Sequence, residues 1–219
     1  SKGIFYPKDH PLHNKDKVEI KEMTAREEEI LSSQEYLKAG VAIDKFLDSV
    51  IVDLNIDPYS IVLADRDAIV YESRKMAYGS DIYLENYECP SCKTKQKRKL
   101  KTNISTISCD YSEVADHAIV NEDGCIEFTL SNNSSLVMAP IDVKAENEII
   151  KKVQETPDTF VNLLLKEATL SIDGETDKDK LAEMMMNIPA KDSRRIRQTY
   201  QKMLPQHKAS ASFQCKSCD

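Results

Sequence analysis

Residues 87–93 read YECPSCK and residues 213–219 read FQCKSCD. Each stretch runs aromatic, polar, Cys, any residue, Ser, Cys, charged. Two residues between cysteines let a tight turn aim both sulfurs at one ion, and Pro90 stiffens the first of these turns. A structural zinc takes four soft ligands in a tetrahedron, and each CxxC supplies two of them at the right bite. Cys89, Cys92, Cys215 and Cys218 together therefore make one complete shell. Four thiolates leave no open position for water or substrate, so the expected ion is structural. The long loop between the pairs is no obstacle, because closure entropy grows only logarithmically with length. The binding free energy of such an ion counts as folding free energy.

Three other uses of the cysteines stay open at this stage. A thioredoxin-like dithiol places its CxxC at a helix start in a βαβ context; here predicted strands flank the first pair and the second lies at the end of the sequence. Two disulfides require an oxidising compartment. The first eleven residues, SKGIFYPKDHP, hold no apolar signal core, so secretion is not expected. Cys109 and Cys125 belong to no pair, and an isolated Cys is more often a small buried apolar residue.

Little else suggests chemistry. His10, His13, His117 and His207 have no Ser or Cys partner at a recognisable spacing, and there is no HExxH. With only five glycines the chain carries neither GxGxxG nor GxxxxGK[ST]. The expectation is a protein without enzymatic activity or a small-molecule substrate. A net charge of −7 argues against a general nucleic-acid binder. No run of eighteen apolar residues appears, so no membrane helix is expected. Lys93, Lys95, Lys97, Lys99 and Lys101 recur at period two, which in a strand puts all five on one face. That face is either a binding surface for an acidic partner, with Lys95, Lys97 and Lys99 at its centre, or an edge guarded against pairing with other chains. A zinc-ribbon nucleic-acid binder built on this strand is the alternative function.

The elements that must carry the cysteines are predicted as follows. Residues 1–16 form an extended N-terminal arm whose apolar patch, Ile4, Phe5 and Tyr6, either docks a partner or folds onto the core. Residues 17–23 alternate and predict a strand. Thr24 followed by Glu27 is a capping box and opens a helix. A second helix is expected over 35–53, broken by Asp57-Pro58, and a third is capped by Asp65 and closed by Gly79. DIYLENYEC leads as a strand into the first cysteine pair. After Cys125 come strands CIEFTLS and SLVMAPI, the helix VKAENEIIKKVQE, the apolar segment FVNLLLKEATLSID, two more helices, and a short strand ASFQC. Met184, Met185 and Met186 cannot share one helix face, so at least one must point away from the core.

The order of signals repeats. EEEIL and ENEII, LNID and LSID, DRDAI and DSRRI, YECPSC and FQCKSC recur at offsets of 119, 116, 127 and 126 residues. Four matches in the same order predict an internal duplication, with about ten extra residues near DKDKLAEMMM; chance similarity among short acidic strings is the competing explanation. The expected fold class is α+β in two related halves, each strand–helices–strand–CxxC, joined by a zinc-ribbon-like site. The first repeat spans 17–108 and the second 109–219.

SKGIFYP, MTAREEEIL, NIDP, DRDAI with a following R and YG, CPSC, SIDG, the segment DSRRIR and a terminal F-x-C-x-x-C together resemble the baseplate hub assembly protein family of T-even type tailed bacteriophages. The resemblance covers nearly the whole chain. It departs from the family where Lys93 and Asp219 replace the usual glycine after each cysteine pair. It implies a non-enzymatic hub subunit or assembly factor of a contractile tail, binding other baseplate hub proteins. It places the protein in the host cytoplasm during assembly and in the virion tail afterwards.

Overall fold

The computed structural model describes all residues except 102, 108–110, 156–159, 211–213 and 219. It is a mixed helix and sheet protein whose strands pair antiparallel throughout. Helices α1 (Ala25–Ser32), α2 (Gln34–Ala39), α3 (Ala42–Val50) and α4 (Leu63–Tyr78) come first. Strands β1 (Asp81–Glu88), β2 (Lys95–Lys101), β3 (Asn103–Ile107), β4 (Ala118–Val120), β5 (Ile126–Thr129) and β6 (Ser135–Met138) follow. Then come α5 (Val143–Glu155), α6 (Phe160–Ala168), β7 (Thr169–Ile172), α7 (Lys178–Met186), α8 (Ala190–Met203) and β8 (Gln206–Ser210).

Strands β4-β5-β6-β7 form one sheet in that order, while β1 pairs with β2 and β3 with β8 in separate two-stranded ribbons. One continuous core joins Phe46, Leu47 and Val50 of α3 to Ile126, Phe128, Leu136 and Met138 of the sheet. Ile149 of α5 and Ile196, Tyr200 and Met203 of α8 complete it. Met184 and Met185 pack against this core, and Met186 turns outward at 80% exposure, as three consecutive helical residues must.

The capping box forms at α1. Thr24 Oγ1 accepts from the Arg26 N–H, and Glu27 Oε2 accepts from the Thr24 N–H at 2.8 Å and from its hydroxyl at 2.5 Å. Glu27 is buried, and its other oxygen accepts from the Ser49 hydroxyl of α3 at 2.5 Å. Those donors, Ser49 first and Thr24 next, hold the carboxyl well below its usual range. A depressed folded value means stabilisation that is present above the ordinary glutamate range near pH 4.5 and lost as pH falls through the folded value. We expect Glu27→Gln to cost about 1–3 kcal/mol at pH 7, since the amide keeps one accepting oxygen and sets its NH2 against the donors on the other side. The gap to wild type should narrow on acidification; melting temperatures at pH 7 and pH 3 check it.

Four expectations are corrected. Residues 1–16 are not extended: they fold as successive turns, with His10 N–H on the Pro7 carbonyl and Asn14 N–H on the Gly3 carbonyl. Residues 17–23 make no regular strand. Ile20 forms a single bridge to Ile51, because the chain beyond Val52 turns away at Asp53–Ile56. The helix over 35–53 divides into α2 and α3 at Gly40, which holds a φ of 72°. Asp65 does not cap α4, which starts two residues earlier. The Leu63 N–H is taken by the Ile141 carbonyl, so a backbone contact from far along the chain stands where a side-chain cap would.

Candidate metal centre

Two local structures carry the cysteines. Strand β1 runs into Cys89, the chain turns through Cys92, and β2 returns with Lys95 opposite Glu88. The turn closes through the Lys93 N–H on the Cys89 carbonyl at 2.9 Å and the Cys89 N–H on the Thr94 carbonyl at 3.1 Å. Lys93 holds a φ of 60°, the left-handed conformation a glycine adopts freely and another residue adopts at about 1–2 kcal/mol. The knuckle therefore keeps its backbone shape with lysine where the resembling family has glycine. The second pair follows β8. The chain beyond that strand brings Cys215 against Gln96 of β2.

The four sulfurs lie within 4.8 Å of one another. Cys89 Sγ is 3.8 Å from Cys218 Sγ, and Cys92 Sγ is 3.6 Å from Cys215 Sγ. Sulfurs joined in a disulfide sit about 2.05 Å apart, so all four are thiols. Four sulfurs at about 2.3 Å from a central zinc stand about 3.8 Å from each other in a tetrahedron. The donor set and its spacing fit that ion. Cys89 and Cys215 are buried, while Cys92 and Cys218 reach the surface.

The electrostatics point the same way. The Ser217 backbone N–H, donating at 3.4 Å, draws the Cys215 thiol down to about 6. The Thr94 hydroxyl lowers Cys92. Cys218, facing the sulfurs of Cys92, Cys215 and Cys89, is pushed up to about 12. Four thiols this close cannot all ionise beside one another. A divalent cation at their centre removes the conflict. Cys125 lies in the turn between β4 and β5 and is raised by burial. Cys109 falls outside the described residues.

The remaining sequence-predicted residues lie elsewhere. Phe5 and Tyr6 are in the core at 3% and 2% exposure, and Ile4 is half-buried beside them. Lys95, Lys97, Lys99 and Lys101 do face one side of β2 and are exposed. Lys97 meets Glu85 at 2.5 Å, and Lys99 meets Asp81 at 2.8 Å while lying 5.4 Å from the Tyr83 ring centre. The residues missed were on the opposite face of the same strand. Gln96 donates to Cys215 Sγ at 3.1 Å and to the Ser217 hydroxyl at 3.3 Å. The period-two alternation that picked out the lysines also carries the signal for Gln96, since even positions must point the other way.

A family model described as T4 bacteriophage base plate protein matches residues 6–219. No curated protein and no solved structure matches the chain.

Proposed function

The chain belongs to the T4 bacteriophage base plate protein family, and on that premise we propose that it is a non-enzymatic hub subunit or hub assembly factor whose two CxxC knuckles hold one structural zinc. The observation that carries the metal is the cross-knuckle spacing of 3.8 and 3.6 Å among four thiols. Cys89, Cys92, Cys215 and Cys218 hold the ion, and it supplies a crosslink without reactivity. A baseplate protein acts through its contacts with other baseplate proteins. The hub as its place, assembly in the host cytoplasm and retention in the virion tail complete the proposal. Among the described residues no helix is long and apolar enough to cross a membrane. The rival use of the lysine strand for nucleic acid is not favoured, since the carboxylates of Glu85 and Asp81 answer two of its lysines.

We also propose that the chain is an internal duplication. Its support is a set of paired features at an offset of 118 residues and, after α7, of 127. Helix α1 opens at Ala25 and α5 at Val143, and α3 spans Ala42–Val50 where α6 spans Phe160–Ala168, all 118 residues apart. The bridge Ile20↔Ile51 has its counterpart 118 residues on in Met138↔Thr169, as does the Lys21 N–H on the Val50 carbonyl in Ala139 on Ala168. Helices α4 and α8 open at Leu63 and Ala190, 127 residues apart. The nine-residue change in offset matches α7, which is nine residues long. On this basis the second unit begins near Ser135, later than the 109–219 expected from the sequence, and β4 and β5 stand outside both. Exchanging the knuckles, Cys89 for Cys215 and Cys92 for Cys218, turns the 3.8 Å pair into the 3.6 Å pair, so the metal sits where two equivalent half-sites meet.

Co-expression with the neighbouring hub proteins of the same phage, affinity capture of this chain and metal analysis of the captured complex test the proposal. The expected result is co-purification of a hub protein with about one zinc per chain. A metal-free chain overturns the zinc, and capture of wedge or tube proteins without any hub protein overturns the hub assignment.

A further inference from the structure

We propose that Gln96 is a positioning residue for the metal centre: held by Arg98, it donates a hydrogen bond to the Cys215 sulfur and fixes the second knuckle on the first. The inference rests on the zinc reading above and adds a role for residues that carry no metal-binding chemistry themselves.

The geometry starts with the strand. Lys95, Lys97, Lys99 and Lys101 of β2 face outward, so Gln96, Arg98 and Leu100 face inward, where they are half-buried. Arg98 Nη2 donates to Gln96 Oε1. A guanidinium can only donate, so it selects the amide orientation in which Oε1 faces Arg98 and Nε2 faces the sulfurs. From there Nε2 reaches Cys215 Sγ at 3.1 Å and Ser217 Oγ at 3.3 Å. The Ser217 N–H approaches the same sulfur at 3.4 Å. Cys215 thus receives two N–H donors, one from its own turn and one from β2 beside the first knuckle. Four thiolates around a dication carry a net charge of −2, and donors beside the sulfurs stabilise that excess. Partners of this kind orient ligands, and their loss typically costs 10–100-fold in metal affinity.

The side chain also ties position to charge. The first knuckle is braced by its own backbone, through the Lys93 and Thr94 contacts. The second knuckle runs through Gln214–Cys218. Gln96 bonds both Cys215 and Ser217 within that stretch, so it is the side chain of β2 that holds the turn at two points.

The full chain loaded with cobalt(II) in place of zinc tests this. Wild type should show the intense thiolate-to-metal charge-transfer band and the visible bands of a tetrahedral four-sulfur site. Gln96→Leu, which keeps the volume and removes the donor, should shift the charge-transfer band to lower energy and weaken zinc about 10-fold in chelator competition. Gln96→Glu, which sets a carboxylate against the thiolate, should weaken it further. Arg98→Leu should show a smaller shift in the same direction. A Gln96→Leu protein with unchanged band and unchanged affinity overturns the proposal. So does lost affinity with an unmoved band, which marks a merely structural role. Failure of wild type to bind cobalt or zinc overturns the metal reading itself and is thereby distinguished from both.

Discussion

Replacing Cys215 with serine is expected to weaken zinc binding by about a thousandfold. Structural zinc sites bind with roughly 10–16 kcal/mol, and removing one of four thiolates takes about 4 kcal/mol of that. Four kcal/mol is about three decades in affinity. The same figure transfers to folding where free zinc exceeds both dissociation constants, because an ion that binds only the native state stabilises by its mass action. The loss should be local. Strands β1 and β2 form a ribbon of their own, outside the four-stranded sheet, and a lone two-stranded ribbon is marginal in water. Hydrogen exchange should therefore accelerate over residues 81–101 and 206–218 while the β4–β7 sheet stays protected. Cys125→Ser is the control, since Cys125 stands apart from the four-thiol cluster, and it should keep the metal. Equal zinc affinity in Cys215→Ser and wild type is incompatible with a four-cysteine site.

What the sequence made legible depended on distance along the chain. The capping box at Thr24 and Glu27, the bounds of α5 and the strand before Cys89 follow from neighbours three or four residues away, and all three are present. The cysteine site was legible across more than a hundred residues because CxxC has few other uses in such a setting, and its four sulfurs do meet. Asp65 shows the limit. Its type and place suit a helix cap, but a backbone bridge from Ile141 already serves the helix end, and the carboxylate instead accepts from the Tyr6 hydroxyl at 2.8 Å. No local pattern encodes a partner 59 residues away. Residues 1–16 show the same limit: polar composition and two prolines suggest a free arm, and three apolar side chains, Phe5, Tyr6 and Leu12, place it in the core. Gln96 went unnoticed for another reason. The lysines on either side dominate the composition, and the informative face of the strand was the one between them.

That buried N-terminal segment carries the second large effect. Phe5→Ala is expected to destabilise the protein by about 3–5 kcal/mol, the usual range for a buried phenylalanine. In a chain of this size that corresponds to a fall in melting temperature of about 10 °C. The packing leaves no room to recover. Gly124, at a φ of 77°, lies so close that a Cβ there would come within 2.5 Å of the Phe5 carbonyl carbon and 2.8 Å of the Tyr6 nitrogen. The backbone of residues 5 and 6 is thus pressed against the β4–β5 turn, and Gly124→Ala should destabilise through both the clash and the left-handed strain. Tyr6 adds a polar anchor: its hydroxyl accepts from the Val62 N–H at 3.2 Å as it donates to Asp65. Removing residues 1–8 deletes both rings at once, and natural domains have only about 5–15 kcal/mol of stability to lose. The truncated chain should unfold, not merely release a partner. Urea titration of Phe5→Ala beside a hub-protein capture separates the two roles of this segment. A shifted midpoint in the isolated chain assigns Phe5 to the core. An unmoved midpoint with lost capture would return it to the surface, as a docking residue.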